Sequence, residues 1–303
     1  MLRLAARTAA LLSSLFAVAM AAHADEVQLQ RRHQAGDSYE LSLRTTTQTA
    51  LRSKARKPKA EDVQLSYTAT VDVLETDAAG LPLRERHRDA QLRFERPDGS
   101  GALFREGAVF EVRRGGDGEI RLFANDARIE RKVEKLVVGV LAAQFEYSVA
   151  PALLEPDRPV EIGESWQLDP TLARRLLRSH GVRVVDFTGP ATATLARADG
   201  DDPSTRVIRY RIPISRWEPE ALPENARTSA SDAEVEGEIR LSTDPHGAPL
   251  EHRARLTSHL RGIVTASGIA APVPWSLESA SASEQSTRIV RRAIAANFQA
   301  PDL

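Results

Sequence analysis

The chain has no cysteine in 303 residues. That absence excludes disulfide staples, cysteine nucleophiles, redox dithiols and thiolate metal sites, and leaves burial to supply stability. Catalytic signatures are missing as well: there is no Gly-x-Ser-x-Gly elbow, no Walker loop and no dinucleotide-binding glycine fingerprint. After residue 24 no apolar run is long enough to span a bilayer. Positive charge is not in excess either. The 41 Lys and Arg face 42 Asp and Glu, whereas a general nucleic-acid binder needs a basic face.

What is present begins with an address. Arg3 and Arg7 precede an apolar stretch from Ala9 to Ala21, and Ala22-His23-Ala24 supplies small residues around a cleavage point. This pattern predicts a secretory signal peptide over 1–24, cut before Asp25, and a periplasmic or secreted protein. Without a cysteine after the apolar stretch, a lipidated N-terminus is excluded. Loss of the two arginines would leave the mature chain about three charges negative.

Period-two alternation dominates the rest. Val63, Leu65, Tyr67, Ala69, Val71 and Val73 alternate with polar residues, as a strand with one buried and one wet face requires. Tyr39, Leu41 and Leu43 open a similar strand, and Ala90, Leu92 and Phe94 mark another. Ile208, Tyr210, Ile212 and Ile214 follow later, then Val235, Gly237, Ile239 and Leu241, with a return strand through Leu250, Ala254, Leu256 and Leu260. Pro213 cannot donate to a ladder, so its strand is expected at an edge or a bulge. Clean alternation over many strands predicts antiparallel sheet.

Two segments have helical spacing. From Asp126 to Tyr147, the residues Ile129, Val133, Leu136, Val137, Val140, Leu141 and Gln144 form a stripe wide enough to pack on a sheet, with Asp126 as its N-cap. A shorter helix has Asp169 to cap it, Pro170 at its first position and Gly181 beyond its end. The expected fold is thus predominantly antiparallel β, of α+β type: curved sheet from two related β-rich halves, with one main helix on the concave side. The halves are drawn at 25–160 and 182–303, joined by a connecting segment at 161–181.

The relation between the halves rests on "LETDAAGLPL" at Leu74–Leu83 and "LSTDPHGAPL" at Leu241–Leu250. Both fit Leu-x-Thr-Asp-x-x-Gly-x-Pro-Leu, 167 positions apart, and each has alternating strands on both sides. Asp, Gly and Pro are turn residues, so each copy reads as the turn of a hairpin.

Candidate chemistry is sparse. Arg52, Lys54, Arg56, Lys57 and Lys59 place five bases in "RSKARKPK", between two strands. Such a tip is either a solvated loop or a contact for anionic lipid or an acidic partner. His252 falls in the inward phase of its strand and His259 in the outward phase, so they cannot share a metal without a bulge. "DGDDPS" at Asp199–Ser204 lacks calcium-loop spacing and reads as an acidic turn. Glu161 and Glu164 flank Gly163 without a partner that would make them an acid–base pair. No catalytic residue, metal ligand or cofactor is assigned. The middle of the long helix is apolar around more than half its circumference. Val133, Val137, Val140 and Leu141 either fill a core or line an apolar cavity between helix and sheet.

"GDSYEL" at Gly36–Leu41 and "PVEIGESWQL" at Pro159–Leu168 resemble a Gly-Asp-x-Tyr strand start and a Gly-(Asp/Glu)-x-Trp segment found in uncharacterised secreted bacterial β-rich proteins. More loosely, the pattern is similar to the half-barrels of periplasmic lipoprotein and lipid carriers, which hold acyl chains against a curved sheet. That resemblance implies a non-catalytic envelope protein that binds an apolar or lipid-like ligand, and it assigns no ligand contact. The alternatives are a structural or interaction module that docks another envelope protein, or a hydrolase whose site is assembled from distant residues.

Overall fold

A computed structural model describes residues 33–291 apart from 54–55, 79, 81, 105–106, 116–119, 132, 135–136, 139–140, 142–155, 157, 180–181, 198–204, 220–225, 243–248 and 266–271. The predicted signal peptide and its cleavage site lie outside these residues.

Fourteen strands form one sheet. In chain order they are β1 (Ser38–Ser53), β2 (Arg56–Thr76), β3 (Pro82–Arg96), β4 (Gly99–Ala102), β5 (Ala108–Arg114), β6 (Ile120–Ala124) and β7 (Ala127–Arg128). Then come β8 (Ser165–Gln167), β9 (Val182–Phe187), β10 (Thr192–Arg197), β11 (Thr205–Pro219), β12 (Ala226–Ser242), β13 (Pro249–Val264) and β14 (Val273–Arg291). The spatial order is β7-β6-β5-β3-β2-β1-β14-β13-β12-β11-β10-β8, with β4 on β3 and β9 on β11. The pairings are antiparallel, and the sheet is not closed. The first strand pairs with the last along its own whole length, from Ser38–Arg291 to Ser53–Trp275. The two expected halves therefore share one continuous sheet.

One face, here called inner, collects the apolar residues. On the N-terminal side Tyr39, Leu41, Leu43, Tyr67, Val71, Leu92, Phe110 and Leu122 form a buried cluster. On the C-terminal side Leu177, Leu195, Ile208, Ile212, Val235, Ile239 and Leu260 form a second. The outer face carries cross-strand ion pairs. Alternation in the strand sequences produces this division directly, because successive side chains point to opposite faces.

Three local departures have physical causes. In β3 both His87 and Ala90 are buried although an odd separation should send them to opposite faces. The register slips between them and Asp89 takes φ 52°, so a bulge restores the inward phase. Pro213 sits in an interior strand rather than at an edge. It stands where β11 changes partner, since β10 pairs up to Arg211 and β9 from Ile214 onward, and no ladder donor is demanded of it there.

The third departure corrects the long helix. Asn125 and Asp126 have φ 50° and 60°, the two left-handed residues of a tight hairpin turn, and Ala127–Arg128 returns as β7. Asp126 is thus a turn residue, and its carboxylate meets Arg113 at 2.6 Å. Within the expected helix, residues 131, 133, 134, 137, 138 and 141 are helical, and the others lie in the turn, in β7, in the linking residues or outside the described residues. A main helix packed on a concave side is not supported.

The short helix, α1 (Pro170–Ser179), matches its expected start. Thr171 N donates to Asp169 Oδ1 at 2.6 Å and Ala173 N to Asp169 O at 2.9 Å, with Pro170 between at a position that needs no donor. Leu177 is fully buried in the C-terminal cluster. Each decapeptide also holds its expected place, linking β2 to β3 and β12 to β13. In the first, Gly80 has φ 77° and donates to Asp77 O at 3.0 Å. The second turn lies largely outside the described residues.

Candidate functional site

Buried polar groups stand out first on so apolar a face. Tyr39 on β1 reaches across β2 and donates to Glu85 Oε1 on β3 at 2.7 Å. In the other half Tyr210 on β11 reaches across β12 to His252 Nε2 on β13 at the same distance. That crossing needs Gly237. Any Cβ there would fall 2.3 Å from the Tyr210 ring. Glycine in the inward phase of a strand was the available sequence signal for such a close approach, and sequence reasoning did not use it.

Around Glu85 lies more polarity. His87 is fully buried, stacks on Phe110 at 5.1 Å between ring centroids, and shares a hydrogen bond of 2.7 Å with the Tyr67 hydroxyl through Nδ1. Its Nε2 is 3.9 Å from Glu85 Oε2, too long for a hydrogen bond. Burial pushes the Glu85 carboxyl up, but His87, the Tyr39 hydroxyl and the charge of His33 outweigh it and hold it below the usual range. Burial pushes the Tyr67 hydroxyl well up, helped by the Glu85 charge. In the other half burial alone drives His252 down to about 3 and the Tyr210 hydroxyl upward. These groups face one another inside the apolar clusters. Their geometry suits register-setting hydrogen bonds between strands.

The inner face between the two clusters is different. Thr45, Thr47 and Thr49 of β1 stand directly opposite Ser283, Ser281 and Ser279 of β14, with Thr47 Oγ1 and Ser281 Oγ 3.1 Å apart. Val63 and Leu65 flank them on β2, Ala254 and Leu256 on β13. All ten side chains are only half-buried, and Val63 and Leu65 belong to neither cluster. These ten hydroxyl and aliphatic groups carry no charge, and the strip ends toward the β1–β2 tip at a charged pair, Glu61 opposite Thr49 and Lys59 opposite Leu51. Four strands give it a width of about 15 Å, and Thr45 to Thr49 a length of about 14 Å.

The outer face opposite carries an open groove of about 830 Å³. Across it Arg44, Glu284, Arg253, Glu238 and Arg209 lie in register on five adjacent strands, alternating in sign. Arg253 meets Glu284 and Arg209 meets Glu238, each at 3.0 Å. Such exposed cross-strand pairs contribute little apiece and chiefly set pairing.

Of the residues expected to line a ligand cavity, Val137 and Leu141 are fully buried in the N-terminal cluster, with Val133 packed against it; Val140 lies outside the described residues. Val133, Val137 and Leu141 do not line the groove. The basic run forms the tip of the β1–β2 hairpin, with Arg52, Lys57 and Lys59 exposed; Lys54 lies outside the described residues, and Arg56 begins β2. His252 is buried, while His259 is exposed and meets Asp232 at 2.9 Å. Glu164 pairs with Arg158 and accepts from Glu161 N at 3.0 Å. Trp166 packs against the C-terminal cluster. Among the described residues no group of His, Asp and Glu is placed to hold a metal.

No protein-family model matches the chain and no curated protein does. Several solved structures share a slight likeness. A structure of lipid–protein interactions in lipovitellin aligns with 88% of this chain at 11% identity and TM-score 0.42, and the chain spans only 26% of lipovitellin's length. OccK2 of Pseudomonas aeruginosa, solved in complex with glucuronate, aligns over 85% of this chain and 99% of its own at 7% identity and TM-score 0.22. A LolA superfamily protein from Nitrosomonas europaea aligns over 82% and 86% at 10% identity and TM-score 0.11. Scores this low carry no functional argument.

Proposed function

We propose that this is a non-catalytic protein of the bacterial envelope that binds an apolar or lipid-like ligand along the half-buried strip of the inner face. One observation carries the reading: between two closed apolar clusters lies a strip of hydroxyl and aliphatic side chains, charged only at its tip end by Glu61 and Lys59, whose aliphatic groups are incompletely covered. Leu65, Val63 and Leu256 offer apolar contact, and the threonine and serine rows can satisfy an ester or carboxyl group without a charge being buried. The envelope location rests on the N-terminal address.

The test uses the full chain prepared without detergent. Native mass spectrometry should show bound lipid, and a fluorescent 16-carbon fatty acid should bind saturably. Ser281→Lys, which sets a charge in the middle of the strip, should weaken that binding at least about tenfold, with the urea midpoint little changed because the site is half-exposed. Absence of both lipid and fatty-acid binding, or full binding by a folded Ser281→Lys variant, would overturn the reading. A second reading, a module that docks another envelope protein, has the charged outer groove in its favour. Replacing Arg253 and Arg209 with glutamate should then abolish a defined partner's co-purification and spare fatty-acid binding.

A further inference from the structure

The end of the sheet at the β1–β2 tip brings together residues that are far apart in sequence. Next to Ser53 and Arg52 stand Trp275 and Ser276 at the start of β14, then Gly262 and Arg261 near the end of β13. Ile263 of β13 pairs with Arg227 at the start of β12. Five bases, Arg52, Lys57, Lys59, Arg227 and Arg261, are exposed at this one end. Two of these bases meet carboxylates: Arg52 lies 3.7 Å from Glu278, and Lys59 pairs with Glu61. A chain with a formal net charge of −1 thus concentrates positive charge on a single edge.

Apolar groups share that edge. Leu51 is 42% exposed and Ile263 39% exposed, two of the four large hydrophobic residues so exposed among those described. Leu51 belongs to the inner face, in register with Leu277 and Leu260, whereas Ile263 lies on the outer face. Pro58 and Pro274 are exposed beside them, and Trp275 is half-buried against Gly262. Exposed aliphatics on both faces of one end of the sheet, ringed by bases, fit a surface entered end-on rather than one covered face-on. A bilayer interface has that chemistry: anionic headgroups for the bases and an apolar layer just beneath.

We infer that this end of the sheet docks on an anionic membrane surface, with Leu51 and Ile263 entering the interface and Arg52, Lys57, Lys59, Arg227 and Arg261 meeting headgroups. The inference stands apart from ligand binding on the strip, and the two fail separately.

Vesicle co-sedimentation of the full chain tests it. Vesicles of phosphatidylcholine with about a third phosphatidylglycerol should bind the protein, pure phosphatidylcholine should not, and binding should fall as salt rises. Each base neutralised should weaken partition about fivefold, so R52Q/K57Q/K59Q should lose about a hundredfold. Leu51→Asp should also weaken binding, with the charge on the basic residues intact. All four substituted positions are exposed, and an unchanged urea midpoint will confirm a folded variant. Equal binding to both vesicle types, binding to neither, or wild-type binding by the folded triple variant would each overturn the inference. The triple variant should keep fatty-acid uptake, and Ser281→Lys should keep vesicle binding.

Discussion

His252 shows how one buried residue ties the fold to pH. Its ring is 6% exposed, and burial holds its pKa down to about 3 against an ordinary value of 6.5. A neutral ring accepts the Tyr210 hydroxyl proton well, and a charged one could not. The unfolded chain protonates this histidine below about pH 6.5, while the folded chain does not until near pH 3. Protons therefore favour the unfolded state across that window. Stability should fall by about 1.4 kcal/mol per pH unit from this group as pH drops from 6 toward 3. Glu85 acts in the same direction at lower pH. Its carboxyl is depressed in the fold, so its contribution is present above the unfolded value and is lost as pH falls through the folded one. Urea unfolding at pH 7, 6, 5 and 4 should trace this slope. His252→Gln, which keeps an acceptor for Tyr210, should flatten it between pH 6 and 5. An unchanged slope would show that another group governs acid stability.

Elements were legible where their signals are local. The inward phase of Tyr67, Ala69, Val71 and Val73 and the capped start of α1 both depend on neighbours within a few residues, and both appear as expected. The helix drawn from Asp126 was misplaced because Asn-Asp carries two meanings. Asp can cap a helix, but two consecutive residues at positive φ make a hairpin turn, and Asn and Asp tolerate that conformation best after glycine. Pairing of Phe123 with Arg128 across that turn decided between them. Asn125→Val should cost roughly 1–2 kcal/mol, because a β-branched residue is poorly tolerated at φ 50°. Asn125→Gly should cost little. Urea midpoints of the two variants check this, and equal midpoints would argue against the turn.

At the scale of the molecule, the seam between β1 and β14 joins the chain's two ends into one sheet. Separate apolar clusters on either side could in principle melt separately, but they share strands of 16 and 19 residues, and all of β1 pairs with β14 with one register shift at Ser38. One cooperative transition is expected. The three tryptophans, Trp166, Trp217 and Trp275, all belong to the C-terminal side, so their fluorescence reports that side alone. Circular dichroism reports the whole sheet. The two probes should give the same urea midpoint, and separated midpoints would show that the seam does not couple the halves.

Sequence by itself determined the strands, their buried phase, the turn at the first decapeptide and the absence of cysteine chemistry, because each depends on residue type and short-range spacing. Tertiary structure decided what those strands enclose. Tyr210 meets His252 only because β12 lies between them with a glycine to cross, and Tyr39 meets Glu85 across β2 in the same way. The hydroxyl and aliphatic strip arises only when β1 finds β14, and Arg227, Arg261 and Ile263 reach the basic tip only through that pairing. Strand order is a long-range choice, set by which faces must be buried together, and alternation along a single strand does not encode its neighbour.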